Sequence, residues 1–342
     1  MSHGKIARRD VLAALGGAAA AALVPAVVAS RAGAAEPTVK GDGGKIRWLA
    51  NAAGTSAFPP YVMQKLKHEQ KYGFELQVIP VANVNTQFTA FQAGAAEFGG
   101  LGWNDVARLR AAGVNLVGVA PWLNWVDCVL VPTDSPAKNL GDLKGKKVGT
   151  INRTTLNWIV MRAVSINNYK FDLEKDATVQ EGAISLLRGL TEQGQLDATM
   201  MFNSLAPDML ATGKYRMLVS IRDLIKELGL PDTPFLMHVA DAGYAAKNPG
   251  NTKAFLAALR EAIQILNTDD TVWVEKGRDL KITDKTALEI FRDEARADMM
   301  TTFSPTTEVD IRRTFDALLA VGGASVMGMS TLPDGFMTLA YQ

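Results

Sequence analysis

Short apolar runs alternate with amphipathic stretches along most of this chain. Residues 45–50 read as a strand, 58–72 as a helix ended by Gly73, and 75–81 as a strand. A helix over 86–93 follows, with Asn85 at its N-cap and Gly94 at its C-cap. Strand 98–101, helix 105–112 and strand 116–120 complete a first unit, and strand 129–132 leaves it. Asp134-Ser135-Pro136 is turn chemistry, after which the pattern restarts. It runs through strand 147–151, helix 155–167, strand 177–181, helix 183–192 closed by Gly194, strand 197–202 and helix 204–212. Segments 215–220 and 223–228 complete this unit. Pro231 and Pro234 mark a second crossing, beyond which long helices are expected near 252–266, 284–296 and 307–321. This alternation predicts an α/β fold with mostly parallel sheets.

The two halves echo one another. Arg47-Trp48-Leu49-Ala50-Asn51 with Thr55 resembles Lys147-Val148-Gly149-Thr150-Ile151-Asn152 with Thr155, and Gln92-Ala93-Gly94-Ala95-Ala96-Glu97 resembles Gln193-Gly194-Gln195-Leu196-Asp197. We therefore expect two lobes, each a mixed, mostly parallel sheet flanked by helices. One comprises 45–132 plus 235–342 and the other 133–234, with crossings near 132–135 and 231–235. A cleft between lobes is the usual place for a ligand.

Residues 1–35 read as an address. Lys5, Arg8 and Arg9 precede an uncharged apolar stretch, 11–29, and Ala32-Gly33-Ala34 suits cleavage near Ala34. Arg8-Arg9-Asp10-Val11-Leu12 resembles a bacterial twin-arginine export signal, which predicts a mature protein in the periplasm.

Composition narrows the chemistry. Lys and Arg total 36 against 35 Asp and Glu, a balance that argues against nucleic acid as a partner. A single cysteine, Cys128, excludes an intrachain disulfide and a Cys-rich metal centre, and three scattered histidines exclude a multi-His one. Neither a cofactor nor a metal is expected.

Two stretches then resemble a family. Ala95-Ala96-Glu97-Phe98-Gly99-Gly100-Leu101-Gly102 is similar to the G-x-x-D-F-G-x-x-G run of periplasmic solute-binding proteins of ABC importers. Leu130-Val131-Pro132-Thr133-Asp134-Ser135-Pro136 followed by Leu140-Gly141-Asp142-Leu143-Lys144-Gly145-Lys146-Lys147-Val148 is similar to the V-x-x-x-S-P-I-x-x-x-x-D-L-K-G-K-K-V run of the nitrate, sulfonate, taurine and thiamine-precursor (NMT1/THI5-like) group. Leu187 to Asp197 fits that group's L-x-x-G-x-x-D-A. The resemblance spans roughly 45–212. It implies a two-lobe periplasmic binding protein (type II) that closes on a ligand and hands it to a permease in the inner membrane. Glu97 replaces the group's Asp, and Trp103 stands where a smaller or more polar residue is expected.

In α/β sheets ligands sit beyond the carboxyl ends of strands, against helix N-termini that favour anions. Loops 51–56, 83–86, 103–105, 152–155 and 203–204 lie at such places. They supply Asn51, Thr55, Ser56, Asn85, Trp103, Asn104, Asn152, Arg153, Thr154, Thr155 and Asn203 as candidate ligand contacts, with Trp125 beside them. Each of the polar residues also suits capping or a turn. Arg153 has the bidentate fork for an anion, while Asp105 and Asp127 suit an amine. Trp103, Trp122, Trp125 and Trp158 all fall in or beside these segments, with Phe202, Phe235, Met200 and Met201 as further apolar wall. Stacked indoles favour a planar aromatic carboxylate, of which the quinone PQQ is an example. An alkyl sulfonate such as taurine ranks next, then nitrate or bicarbonate.

The function expected is therefore a monomeric, non-enzymatic receptor for a small organic anion, gripping it by hinge closure. Two alternatives remain at this point. One is an enzyme of the pyrimidine-synthase-like branch of the same fold, which would need Cys128 paired with His238. The other is a partner that presents its ligand to a sensory receptor. His68, in a charged helical stretch, is expected to be exposed, and Cys128 to be a buried small hydrophobe.

Overall fold

A computed structural model describes residues 39–342 apart from 53, 82, 83, 203 and 204. The leader expected over 1–35 and the candidate contact Asn203 lie outside the described residues. The strands are β1 Lys45–Asn51, β2 Glu75–Val81, β3 Phe98–Gly102, β4 Leu116–Leu123, β5 Cys128–Pro132, β6 Lys147–Thr150, β7 Thr178–Glu181, β8 Ala198–Met201, β9 Tyr215–Ser220 and β10 Leu236–Asp241. They form two five-stranded sheets, ordered β2-β1-β3-β10-β4 and β7-β6-β8-β5-β9, with helices packed on them.

The two orders match strand for strand. In each sheet three parallel strands are followed by an antiparallel one, β10 in the first and β5 in the second. The echo between the halves has a physical basis at the strand starts. The Arg47 amide donates to the Glu97 carboxylate at 2.7 Å and the Glu97 amide to the Arg47 carbonyl at 3.0 Å. The same exchange joins Lys147 and Asp197, at 2.8 and 2.9 Å. An acid just before one strand thus anchors an amide near the start of its parallel neighbour in both sheets, Glu97 for β1 and Asp197 for β6. Glu97 does this as well as the shorter Asp197 does.

The sheets are mixed, and β10 explains why. Its run Leu236-Met237-His238-Val239-Ala240-Asp241 was not among the expected strands. It is buried on both faces between β3 and β4, so it carries no polar alternation to signal a strand. β5 corrects the expected lobe boundary: Cys128–Pro132 bonds to β8 and β9 and belongs to the second sheet. The first crossing is therefore 124–127, ahead of the Asp134-Ser135-Pro136 turn. Residues 231–235 lead from the second sheet's last helix back to β10 of the first.

On β1, Ile46, Trp48 and Ala50 face one aromatic core with Phe58, Phe98 and Phe255. Leu49 faces the opposite core, which holds Trp103 and Val106 beside β3 and continues through Trp158 and Ile159 beneath the second sheet. Helix Thr307–Met327 joins the two parts of that core, placing Phe315 against Trp103 and packing on helix Leu156–Asn167. The expected helix 58–72 is two helices, Phe58–Lys65 and His68–Lys71, parted at Lys67 in a left-handed conformation. The break turns His68 inward. Contrary to expectation it is buried, with Nδ1 3.3 Å from the Ala258 carbonyl oxygen.

Candidate functional site

A narrow recess opens on the aromatic face of the first sheet. Its polar lining is Asn51 at the end of β1, Ser56 in the turn after it, Gln87, Trp122 on β4 and His238 on β10. The turn Thr55–Ala57 follows Gly54, whose φ of 67° suits a residue without a side chain. Gln87 links the end of β1 to the middle of β3. Its Nε2 donates to Asn51 Oδ1 at 3.4 Å, and its Oε1 accepts from the Gly100 amide at 3.2 Å. His238 lies across from Gly100 on one side and Ala120 on the other. Its ring centroid is 5.2 Å from that of Trp122, with the planes 30° apart. A Cβ on Gly100 would stand 2.3 Å from the Trp122 ring, so glycine is what lets the indole lie there.

The recess is polar but uncharged. His238 is 1% exposed, and burial lowers its pKa to about 3, so the imidazole is neutral at physiological pH. Both ring nitrogens lack a hydrogen-bond partner, as do Trp122 Nε1 on β4 and Thr55 Oγ1 in the turn after β1. Buried polar groups are nearly always paired, which makes this grouping notable. Among the expected contacts only Asn51 and Ser56 line the recess. Gln87 and His238, which also line it, were not among the expected contacts, and Trp122 was read only as a possible wall. Gln87 has no sequence signal beyond its place near the end of β2. His238 entered only as the partner Cys128 would need, because its strand was not among those expected.

The remaining candidates are placed otherwise. Asn85 does not cap its helix, which begins earlier as Val84–Gln92; Asn85 is exposed and its carbonyl accepts from Thr89 Oγ1 at 3.2 Å. Trp103 opens helix Trp103–Ala111 but is fully buried, edge-on to Phe315 at 6.3 Å, so it is core and not a cleft wall. Beside it Asn104 Oδ1 is buried without a partner, and burial raises the Asp105 carboxyl to about 6. Trp125 stacks on Phe235 and its Nε1 donates to Thr233 Oγ1 at 3.3 Å, so it too is packed inside. Trp158 is buried and donates to Glu174 at 2.7 Å. The indole walls expected for a planar aromatic ligand are therefore packed in the interior, Trp122 included at 6% exposure, though it lines the recess.

On the second sheet the loop after β6 is a capped turn. Asn152 Oδ1 accepts from the Thr154 amide at 2.7 Å and from its hydroxyl at 2.8 Å, and Thr155 caps helix Leu156–Asn167. Asn152 and Thr154 are exposed at the strand's carboxyl end. Arg153 is committed elsewhere: its guanidinium meets Glu174 and Glu181, each at 2.8 Å, and the Val179 carbonyl at 3.2 Å. Two carboxylates neutralise the charge an anion would need, which removes Arg153 as the anion's fork. Phe202, past the end of β8, is 38% exposed and does offer apolar surface. Cys128 and His238 sit in different sheets, on β5 and β10, and burial pushes the thiol well above its usual pKa. That is the reverse of what a nucleophilic pair requires. Among the described residues no cluster of His, Cys, Asp and Glu is placed to hold a metal, and no helix is long and apolar enough to cross a membrane.

Comparison with known proteins adds to this geometry. Residues 57–269 match the family model described as NMT1/THI5 like. A putative aliphatic sulfonates-binding protein of Escherichia coli is 28% identical over 176 residues, which is 51% of this chain and 52% of that protein. The chain thus aligns with about half the length of that curated relative. Among solved structures, the periplasmic aliphatic sulphonate binding protein SsuA of Escherichia coli superposes with a TM-score of 0.68 at 18% identity, over 81% of this chain and 86% of that one. The alkanesulfonate-binding protein SsuA of Xanthomonas axonopodis pv. citri, bound to MOPS, gives 0.67 at 17% identity, over 89% and 99%. The fold is shared with both: two sheets forming the lobes of a periplasmic binding protein.

Proposed function

This chain belongs to the NMT1/THI5-like family, and from that premise we propose that it is a periplasmic solute-binding receptor of an ABC importer whose ligand is an alkyl sulfonate or a closely similar small organic oxyanion. The observation that carries this reading is the uncharged, donor-bearing recess at the carboxyl end of the first sheet, together with the exposed Asn152–Thr154 turn and Phe202 that follow the carboxyl ends of strands in the second. Hydrogen-bonding groups without countercharge suit a strong-acid anion that keeps its own charge, and an exposed phenyl suits an alkyl tail. The interior packing of Trp103, Trp125 and Trp158 argues for the sulfonate over a planar aromatic acid, and the E. coli relative's ligand class agrees.

In this reading residues 1–35 direct export, the lobes close about 124–127 and 231–235, and the ligand is delivered without chemical change. Closure follows from a ligand that touches both lobes and so binds the closed state more tightly. The test is calorimetric titration of the mature protein with taurine, methanesulfonate, longer alkanesulfonates, nitrate and planar aromatic carboxylates, with small-angle scattering on each saturated sample. The expected result is saturable sulfonate binding with compaction. Binding of aromatic acids alone, or conversion of a ligand to a new compound, would overturn it.

A further inference from the structure

We propose that Arg222 is a clasp between the lobes: its guanidinium, held by the second crossing, grips the end of a first-lobe helix and keeps the cleft open until ligand arrives. The clasp deepens the receptor reading above and rests on it for what is regulated. Three observations lead there. Arg222 belongs to the second lobe, on helix Ile221–Glu227 after β9. Its Nε and Nη2 donate to Asp232 Oδ1 and Oδ2 at 3.3 and 2.5 Å, a two-point grip. Next, both crossings steady that grip. Asn124 Nδ2, in the first crossing, donates to Asp232 Oδ1 at 2.5 Å. Burial pushes the Asp232 carboxyl up, but the bonds from Arg222 and Asn124 outweigh it and hold the group below the usual carboxylate range, so the pair is charged. Finally, the remaining arm reaches the first lobe. Nη1 donates to the Ala297 carbonyl at 3.2 Å and stands 3.8 Å from the Asp298 carboxylate. Both residues close helix Lys285–Asp298, which Phe291 and Ala295 seat in the aromatic core of the first sheet. The last carbonyls of a helix lack partners inside it and carry partial negative charge, so a cation there is favourable.

The clasp has one breakable half. Asp232 and Asn124 lie in the crossings, close to the axis of any lobe rotation, so they stay with Arg222 as the lobes turn. The contacts with Ala297 and Asp298 run from lobe to lobe and are the ones a rotation stretches. In the arrangement that the clasp holds, Asn85, Asn152, Thr154 and Phe202, beyond strand ends of both sheets, are exposed. It is the arrangement a ligand can enter. A ligand that draws the lobes together must break these contacts, and its apparent affinity falls with the fraction of molecules already free to close. The guanidinium therefore sets affinity from outside the recess, without touching the ligand.

The test begins without ligand. Spin labels go on Ala93→Cys in the first lobe and Gln180→Cys in the second, both exposed positions, while the buried Cys128 stays unlabelled. Electron double resonance then reads the separation of the lobes. The expected result is a second, shorter population in Arg222→Gln. Asp298→Asn, which leaves the Asp232 grip intact, should give a smaller shift in the same direction. Methanesulfonate, titrated by calorimetry, should bind Arg222→Gln about threefold or more tightly than wild type. Thermal melts check that each variant is folded, and Asp298→Asn carries the test if Arg222→Gln is not. Separations unchanged in both variants would overturn the clasp and leave the receptor reading standing. Weaker binding by Arg222→Gln would overturn it as well, because the guanidinium would then favour the closed state. A wild-type protein that binds none of the sulfonates would remove the receptor reading, while the ligand-free separations still decide the clasp.

Discussion

Trp125 stacks on Phe235 with ring centroids 4.9 Å apart and planes 27° from parallel. One residue lies in the first crossing between the sheets and the other in the second, so a single aromatic pair ties together the two segments about which the lobes would move. The indole Nε1 bonds Thr233 in that second segment as well. Substituting Trp125 with Ala should cost about 3–5 kcal/mol of stability, the range for truncating a buried large aromatic. Trp125→Phe keeps a ring in place and loses the hydrogen bond, for about 1 kcal/mol. Urea unfolding of the pair of variants checks the order. Equal losses would mean that the stack contributes little.

Near the same crossings, helix Lys285–Asp298 presents Glu294 and Asp298 to a cavity shared with Asp127 and Cys128 of the first crossing and β5, and with Arg222, Asp223 and Lys226 of the second lobe. Burial, with Asp298 adding repulsion, raises the Glu294 carboxyl to about 7; burial raises Asp298 to about 6 against the opposing pull of Arg222. Both folded-state values lie above the unfolded ones, so the native protein holds more protons and stability falls as pH rises from about 4 to about 7. Glu294→Gln should remove much of that slope, worth about 1–2 kcal/mol after allowing for solvent screening. Melting temperatures of both proteins across this range measure it. A slope unchanged by the substitution would assign the titration to other groups.

Arg153→Ala should leave sulfonate affinity within about twofold of wild type and stability within about 1 kcal/mol, the scale of exposed ion pairs. Its fork is filled by Glu174 and Glu181. A large loss of affinity by calorimetry would show that the arginine leaves these partners when ligand binds.

Gly100 has a neighbour that no other residue would leave in place, the Trp122 ring. Gly100→Ala should therefore displace the indole, cost about 1–3 kcal/mol as an overpacked site does, and shift tryptophan emission. Unaltered emission and stability would mean that the sheet yields instead of the ring.

Much of this protein was legible in its residues. The alternation of apolar runs and amphipathic stretches, with Gly94 and Gly194 closing equivalent helices, is a local matter of period and backbone freedom, and it foretold the α/β class and the doubled unit. Asn51 and Ser56 could be placed at a strand end and in the turn after it because strand ends and turns announce themselves in sequence. What the chain order could not tell is which strand neighbours which. β10 enters the middle of the first sheet from far along the chain and β5 enters the second from before it, and only hydrogen bonding across that distance decides where they go. His238, Gln87 and Trp122 become one recess through that pairing alone. The same holds for the tryptophans and Arg153: composition showed that indoles and a guanidinium lay near the right loops. Whether each ring faced solvent or core, and whether the charge was free or already met by Glu174 and Glu181, depended on packing between segments distant in sequence.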